Sequence, residues 1–128
     1  MMDLGKIIYS ALAGNAGVTA LAGQRIYPDV IPQEIDRPCL SYDIGSLPGI
    51  DGTAPLYSTT VNVSCFARDK ESTHSLAAAV DTKLENYRGA ATGVTLLNMY
   101  KSSYQEAFDP DLDCFAVLLT YTANIVLA

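Results

Sequence analysis

The sequence predicts an α/β (α+β) fold, a two-layer sandwich with helices on one face of a mixed, mostly antiparallel sheet of about four strands. Three observations carry this. From Tyr57 to Ala67 the chain alternates: Tyr57, Thr59, Val61, Val63, Cys65 and Ala67 share one side, while Ser58, Thr60, Asn62 and Ser64 share the other. A period of two with β-branched residues is a half-buried strand. The period then changes, because Leu76, Val80, Leu84 and Tyr87 recur at helical spacing. Finally, the predicted order is helix, helix, strand, strand, helix, strand, strand. With no internal repeat or second boundary, residues 1–128 form a single domain.

Taken in order, Asp3 to Ala13 reads as a helix with Leu4, Ile7, Ile8, Ala11 and Leu12 on one face, broken at Gly14. Asn15 is placed to cap a short second helix through Leu21, ended by Gly23. Gln24 to Pro28 is an irregular crossing or edge segment, because proline holds the residue before it extended. Val30 to Arg37, with Pro32 inside and Pro38 after it, is loop. Cys39 to Ser46 alternates as a strand. Leu47 to Leu56 holds Pro48, Gly49, Gly52 and Pro55 and is too long for a tight hairpin, so a projecting loop is expected.

After the central strand, Asp69 is placed to cap the main helix and Gly89 to stop it. A right-handed crossover follows if the strands on either side of this helix are parallel in one sheet. Gly93 to Lys101 is a strand without clean alternation: Val94 and Leu96 fall on one face, Leu97 and Met99 on the other, so both faces ask for burial. Ser102 to Asp111 reads as a polar connection with Asp109-Pro110 as its turn. Asp113 to Val126 is the last and longest strand.

Composition excludes several classes. Hydrophobic residues make up 49% and charged residues 17%, which is a chain able to bury a core and unlike a disordered one. No apolar run approaches the ~20 residues that span a bilayer, so no membrane partner is expected. The N-terminus fits an amphipathic helix better than a signal peptide. The net charge of −6, with eight scattered Lys and Arg, argues against gripping nucleic acid. Cys39, Cys65 and Cys114 all fall in predicted strands, and their odd count and wide spacing suit packing residues in a reducing cytosol.

A search for chemistry finds little. His74 is the single histidine and lies off the apolar stripe, so a solvated surface position is expected. No G-x-S-x-G accompanies it, and there is no phosphate-binding glycine motif. Asp109, Asp111 and Asp113 open like a calcium loop, but no glycine follows Asp113 and no glutamate closes it. Arg25 and Tyr27 read as a structural anchor. No catalytic, cofactor or metal residue is nominated, and no enzyme activity is expected.

The helix-free sheet face raises a different question. It is mostly polar or small, yet Phe66, one side of the third strand and Leu118 add apolar area there. Such a patch marks an interface with another subunit, unless the chain's own loops cover it. The interface candidates are Pro48, Gly49, Ile50 and Asp51 in the projecting loop, with Phe66, Leu97, Met99 and Leu118 on the sheet.

Several stretches resemble the tail-completion, or tail-terminator, proteins of tailed bacteriophages and prophages. They are Leu21-Ala-Gly-Gln-Arg-Ile-Tyr-Pro, then Pro32, Pro38 and the strand through Tyr42. Val61-Asn-Val-Ser-Cys-Phe-Ala, Leu76-Ala-Ala-Ala-Val, Tyr87-Arg-Gly and Phe108-Asp-Pro fit the same pattern. The resemblance covers nearly the whole chain, and its motifs are structural. It implies a virion protein that forms a homo-oligomeric ring, commonly hexameric, at the head-proximal end of the tail. Such a ring stops polymerisation of the tail tube protein and presents a surface to the head–tail connector protein, after assembly in the host cytoplasm. DNA passes through the centre without specific binding, and no cofactor is implied. A neck or head-closure component, or a small oligomeric binding module, is the alternative.

Overall fold

The computed structural model describes residues 2–23, 25–28, 38–45, 56–91, 93–110 and 114–127. The order of elements is α1 (Met2–Ala13), α2 (Ala16–Ala22), β1 (Ile26–Pro28), β2 (Cys39–Ile44), β3 (Leu56–Ala67), α3 (Lys70–Leu84), β4 (Gly89–Ala91), β5 (Val94–Asp109) and β6 (Cys114–Leu127). The strands form one six-stranded sheet in the order β1-β2-β3-β6-β5-β4. Among the described strands, only β1 and β2 are parallel neighbours; the others are antiparallel. The sheet is therefore mixed and mostly antiparallel, with six strands where about four were expected from alternation alone.

The helices begin where the sequence places their caps. The Asn15 side chain accepts the Val18 N–H at 3.0 Å, and Gly23, at φ 59°, closes α2 by donating its N–H to Thr19 at 2.9 Å. The Asp69 carboxylate accepts the Ser72 N–H at 2.9 Å, and the Thr73 hydroxyl donates to the Asp69 carbonyl at 2.8 Å. The end of α3 departs from expectation. It stops at Leu84, and Asn86, not Gly89, takes the left-handed backbone, at φ 61°. Asparagine tolerates that region because its short amide bonds locally. Gly89 instead opens β4, where a Cβ would stand 3.1 Å from Ile7 Cγ2. It is a glycine of close approach between α1 and the sheet.

One core joins the layers. Leu4, Ile8 and Leu12 of α1, Val18 of α2, and Leu76, Val80 and Leu84 of α3 bury against Leu40, Val61, Val63, Leu96, Met99, Leu119, Tyr121 and Ile125. Along β3 the alternation is as expected: Val61, Val63, Cys65 and Ala67 are buried, and the residues between them are half-buried. The three cysteines are buried in β2, β3 and β6, and none forms a disulfide. Burial, with Cys39 nearby, pushes the Cys65 thiol up to about 12, so it stays protonated and packs as a small apolar residue.

The long strand β5 corrects two expectations. Its pairing with β6 shifts between Leu96 and Asn98, so Leu97 is an extra, bulged residue. Past the bulge the parity changes, and Val94, Leu96 and Met99 all enter the core while Leu97 stays exposed. The strand does not bury both faces. A second shift follows between Lys101 and Ser103, and the chain then pairs regularly with β6 as far as Asp109. Residues 102–109 are thus strand and not connection. They lack a core signature because every side chain from Tyr100 to Phe108 is exposed. The connection after α3 is less direct than expected: it passes first through the short β4, antiparallel to β5, while β3 and β5 run parallel to each other on either side of β6.

Candidate functional site

The sheet has one face covered by the helices and one helix-free face, on which Cys39, Ser41 and Ala116 are nonetheless buried, and this helix-free face is the first candidate surface. Its residues come from alternate positions of β2, β3, β6 and β5. Asp43 accepts from Asn62 Nδ2 at 2.8 Å, and Asn62 Oδ1 accepts from the Thr120 hydroxyl at 3.0 Å. Asn124 donates to Asn98 at 2.7 Å. The middle of the face is thus a ladder of amides and hydroxyls satisfied across strands. Phe66 lies opposite Ala116, and Leu118 lies opposite Ser64, so these two nominated residues sit together at one end of the face, both half-buried.

The other nominated residues scatter. Leu97 is exposed at its bulge. Met99 is fully buried in the core and offers no surface, because the bulge turns it toward the helices. Pro48, Gly49, Ile50 and Asp51 lie outside the described residues. Arg25 is an anchor, as expected: its Nε donates to the Pro38 carbonyl at 2.8 Å and its own carbonyl accepts the Leu40 N–H at 3.0 Å, holding β1 beside β2.

The second candidate surface went unseen in the sequence. It is the outer half of β5 with the first turns of α3. Among the described residues, the exposed large hydrophobics are Tyr9, Leu97, Tyr100, Tyr104 and Phe108, and all but Tyr9 stand on β5. Phe108 meets Phe115 with ring centroids 4.9 Å apart. These two rings, with Lys70, Thr73, His74 and Glu106, line a cleft of about 260 Å³. The alternation of Tyr104, Glu106 and Phe108, with Gln105 and Ala107 between them, was the available signal, hidden by the charged Glu106 at its centre.

His74 is not a free surface histidine. Its Nε2 pairs with Glu106 Oε1, with both side chains about two-fifths exposed, at 42% and 43%. Glu106 also accepts the Tyr104 hydroxyl at 3.0 Å. That hydrogen bond first, and then the charges of His74 and Lys70, hold Glu106 below the usual carboxylate range. Deeper along α3, Asp81 accepts from Tyr121 at 2.7 Å and from Lys101 at 3.1 Å. Burial first, then Asp81, pushes the Tyr121 hydroxyl up, so it keeps its proton and its donor role. The arrangement ties α3 to β5 by hydrogen bonds and charge. It sets no nucleophile against a base, and among the described residues no three potential metal ligands gather. Among the same residues, no helix is long and apolar enough to cross a membrane.

Comparison with known proteins supplies the rest. A family model described as Tail completion protein gp17 matches residues 6–125. Among solved structures, a chain of the "Virion of native gene transfer agent (GTA) particle" superposes with a TM-score of 0.78 at 19% identity, covering 93% of this chain and 91% of that one. A second solved chain gives a TM-score of 0.68 at 12% identity, over 100% of this chain and 97% of the other. At those identities both likenesses establish the fold. No curated protein matches significantly.

Proposed function

Because this chain belongs to the Tail completion protein gp17 family, we propose that it is a structural virion protein of a phage or phage-like particle, acting as one subunit of a ring that caps the tail tube. In this reading the ring, hexameric as the resemblance implies, ends tube polymerisation and forms the tail side of the head–tail joint. The observation that carries the reading is the family match over nearly the whole chain. The structure is in keeping with it. The fold presents exposed aromatic side chains along β5, Tyr100, Tyr104 and Phe108, which are groups for contact, and the pairs His74–Glu106 and Lys101–Asp81 tie α3 to β5.

The physics of each step is ordinary. Copies joined by a heterologous contact close into a ring when the rotation between neighbours divides the circle. A closed ring offers the tube no further growing surface. The net charge of −6 disfavours binding to a phosphate backbone, so DNA passes through without being held. The test is tube growth in solution. Added to polymerising tail tube protein from the same particle, the chain is expected to shorten the tubes as its ratio rises. Tubes of unchanged length at every ratio would shift the reading to a neck or head-closure component.

A further inference from the structure

The outer half of β5 is held differently from its inner half. Up to Lys101 the strand is pinned by the core and by the end of α3. Val94, Leu96 and Met99 are buried, the Asn86 N–H donates to the Met99 carbonyl at 2.7 Å, and Lys101 gives its N–H to Glu85 and its Nζ to Asp81, each at 3.1 Å. The pairing with β6 then shifts between Lys101 and Ser103, where the Ser102 hydroxyl donates to the Thr120 carbonyl at 3.1 Å. Beyond the shift every side chain from Ser103 to Phe108 is exposed, so no buried apolar side chain anchors this stretch. Segments with few buried contacts are the ones that open ahead of the whole fold. β6 keeps its place without the stretch, because Phe115 to Thr120 are paired on their other side with Ala67 to Asn62 of β3.

Among the described residues, one cluster fastens this stretch to the helix layer. Tyr104, Glu106 and Phe108 lie across from Leu119, Val117 and Phe115 of β6, which places all three on the helix side of the sheet. Glu106 pairs with His74 Nε2 of α3 and accepts the Tyr104 hydroxyl at 3.0 Å, while Phe108 meets Phe115. We propose that residues 103–108 form a strap that opens from β6 independently of the core, hinged at Ser102, and that the His74–Glu106 pair is the pH-operated latch that holds it to α3.

The latch is an ion pair only while His74 is protonated and Glu106 is ionised. The titratable and charged groups that face Glu106 are Tyr104 on its own strand and His74 and Lys70 on α3; Val117, opposite on β6, carries none. The Tyr104 hydrogen bond first, and then His74 and Lys70, keep the Glu106 carboxyl below its ordinary 4.5. A depressed carboxyl contributes fully above its unfolded value, and the contribution is lost as pH falls through the folded one. Acid therefore releases the strap by neutralising Glu106. With the strap open, the cleft of about 260 Å³ loses the wall that Glu106 and Phe108 set against Lys70 and His74. The device is intramolecular and does not depend on the tail reading.

The experiment is amide hydrogen exchange of the full chain, resolved by residue and corrected for the intrinsic rate, at about pH 6 and about pH 3. At the higher pH, Glu106→Gln is expected to speed exchange in residues 103–108 by about twofold to fivefold, the size of one exposed pair, with Val61 and Val63 of β3 unchanged. At the lower pH, wild type and Glu106→Gln are expected to converge, because the wild-type carboxyl is then neutral as well. Glu71→Gln, which removes a neighbouring exposed charge on α3, is expected to exchange like wild type. Equal exchange of wild type and Glu106→Gln at the higher pH overturns the proposal, as does a gap that persists in acid. So does a gain shared by β3, or an equal gain in Glu71→Gln.

Discussion

At the scale of the residue, Asn86 is where α3 releases the chain. Its φ of 61° is the left-handed conformation, and its N–H donates to the Met99 carbonyl at 2.7 Å. A side chain with a plain Cβ is disfavoured there, so Asn86→Ala is expected to lower stability by about 1 kcal/mol, and Asn86→Gly by only a few tenths. Denaturant melts of the two variants check this. At the other end of α3, hydrogen bonds from Ser72 hold the Asp69 carboxyl below its ordinary 3.8. A depressed pKa means that the cap's ionic contribution is complete above the unfolded value and is lost as pH falls through the folded one. The gap in stability between wild type and Asp69→Asn is therefore expected to narrow as pH drops below about 4. A gap that stays constant from neutral pH into acid would contradict the assignment.

At the scale of the element, β3 and β5 show what a sequence can and cannot disclose. β3 is paired on both sides and buried on one, so its side chains alternate and its bounds are legible. α3 was legible for the same reason, with a cap at Asp69 and an apolar stripe through Leu76, Val80 and Leu84. β5 buries only Val94, Leu96 and Met99. Its bulge at Leu97 breaks the period, and its outer half buries nothing, so the alternation of Tyr104, Glu106 and Phe108 carried no core-facing signal. β4, at 3 residues, is too short to carry a pattern. The cleft between Lys70, His74 and Phe108 was hidden with the outer half of β5, whereas Phe66 and Leu118 were correctly placed on one face because their strands alternate. The bulge yields a direct prediction. Leu97→Ser is expected to change stability by less than about 0.5 kcal/mol. Met99→Ala is expected to cost about 2–5 kcal/mol, because it empties space in the buried core. Similar costs for the two substitutions, measured by denaturant unfolding, would mean that the pairing shift at Leu97 is absent.

At the scale of the whole molecule, the described residues hold ionisable groups in pairs that fasten α3 to β5, and leave their polar and aromatic groups on a sheet face and a sheet edge. Binding to other macromolecules is the use to which such surfaces are suited, and the family match gives that use a place in a tail. The most direct measurement of the central claim is electron microscopy of tail tubes assembled with gold-labelled chain. The account predicts label at one end of each tube, with ring-shaped density closing that end. Label scattered along the tube wall, or bare ends on tubes that stop growing, would contradict it.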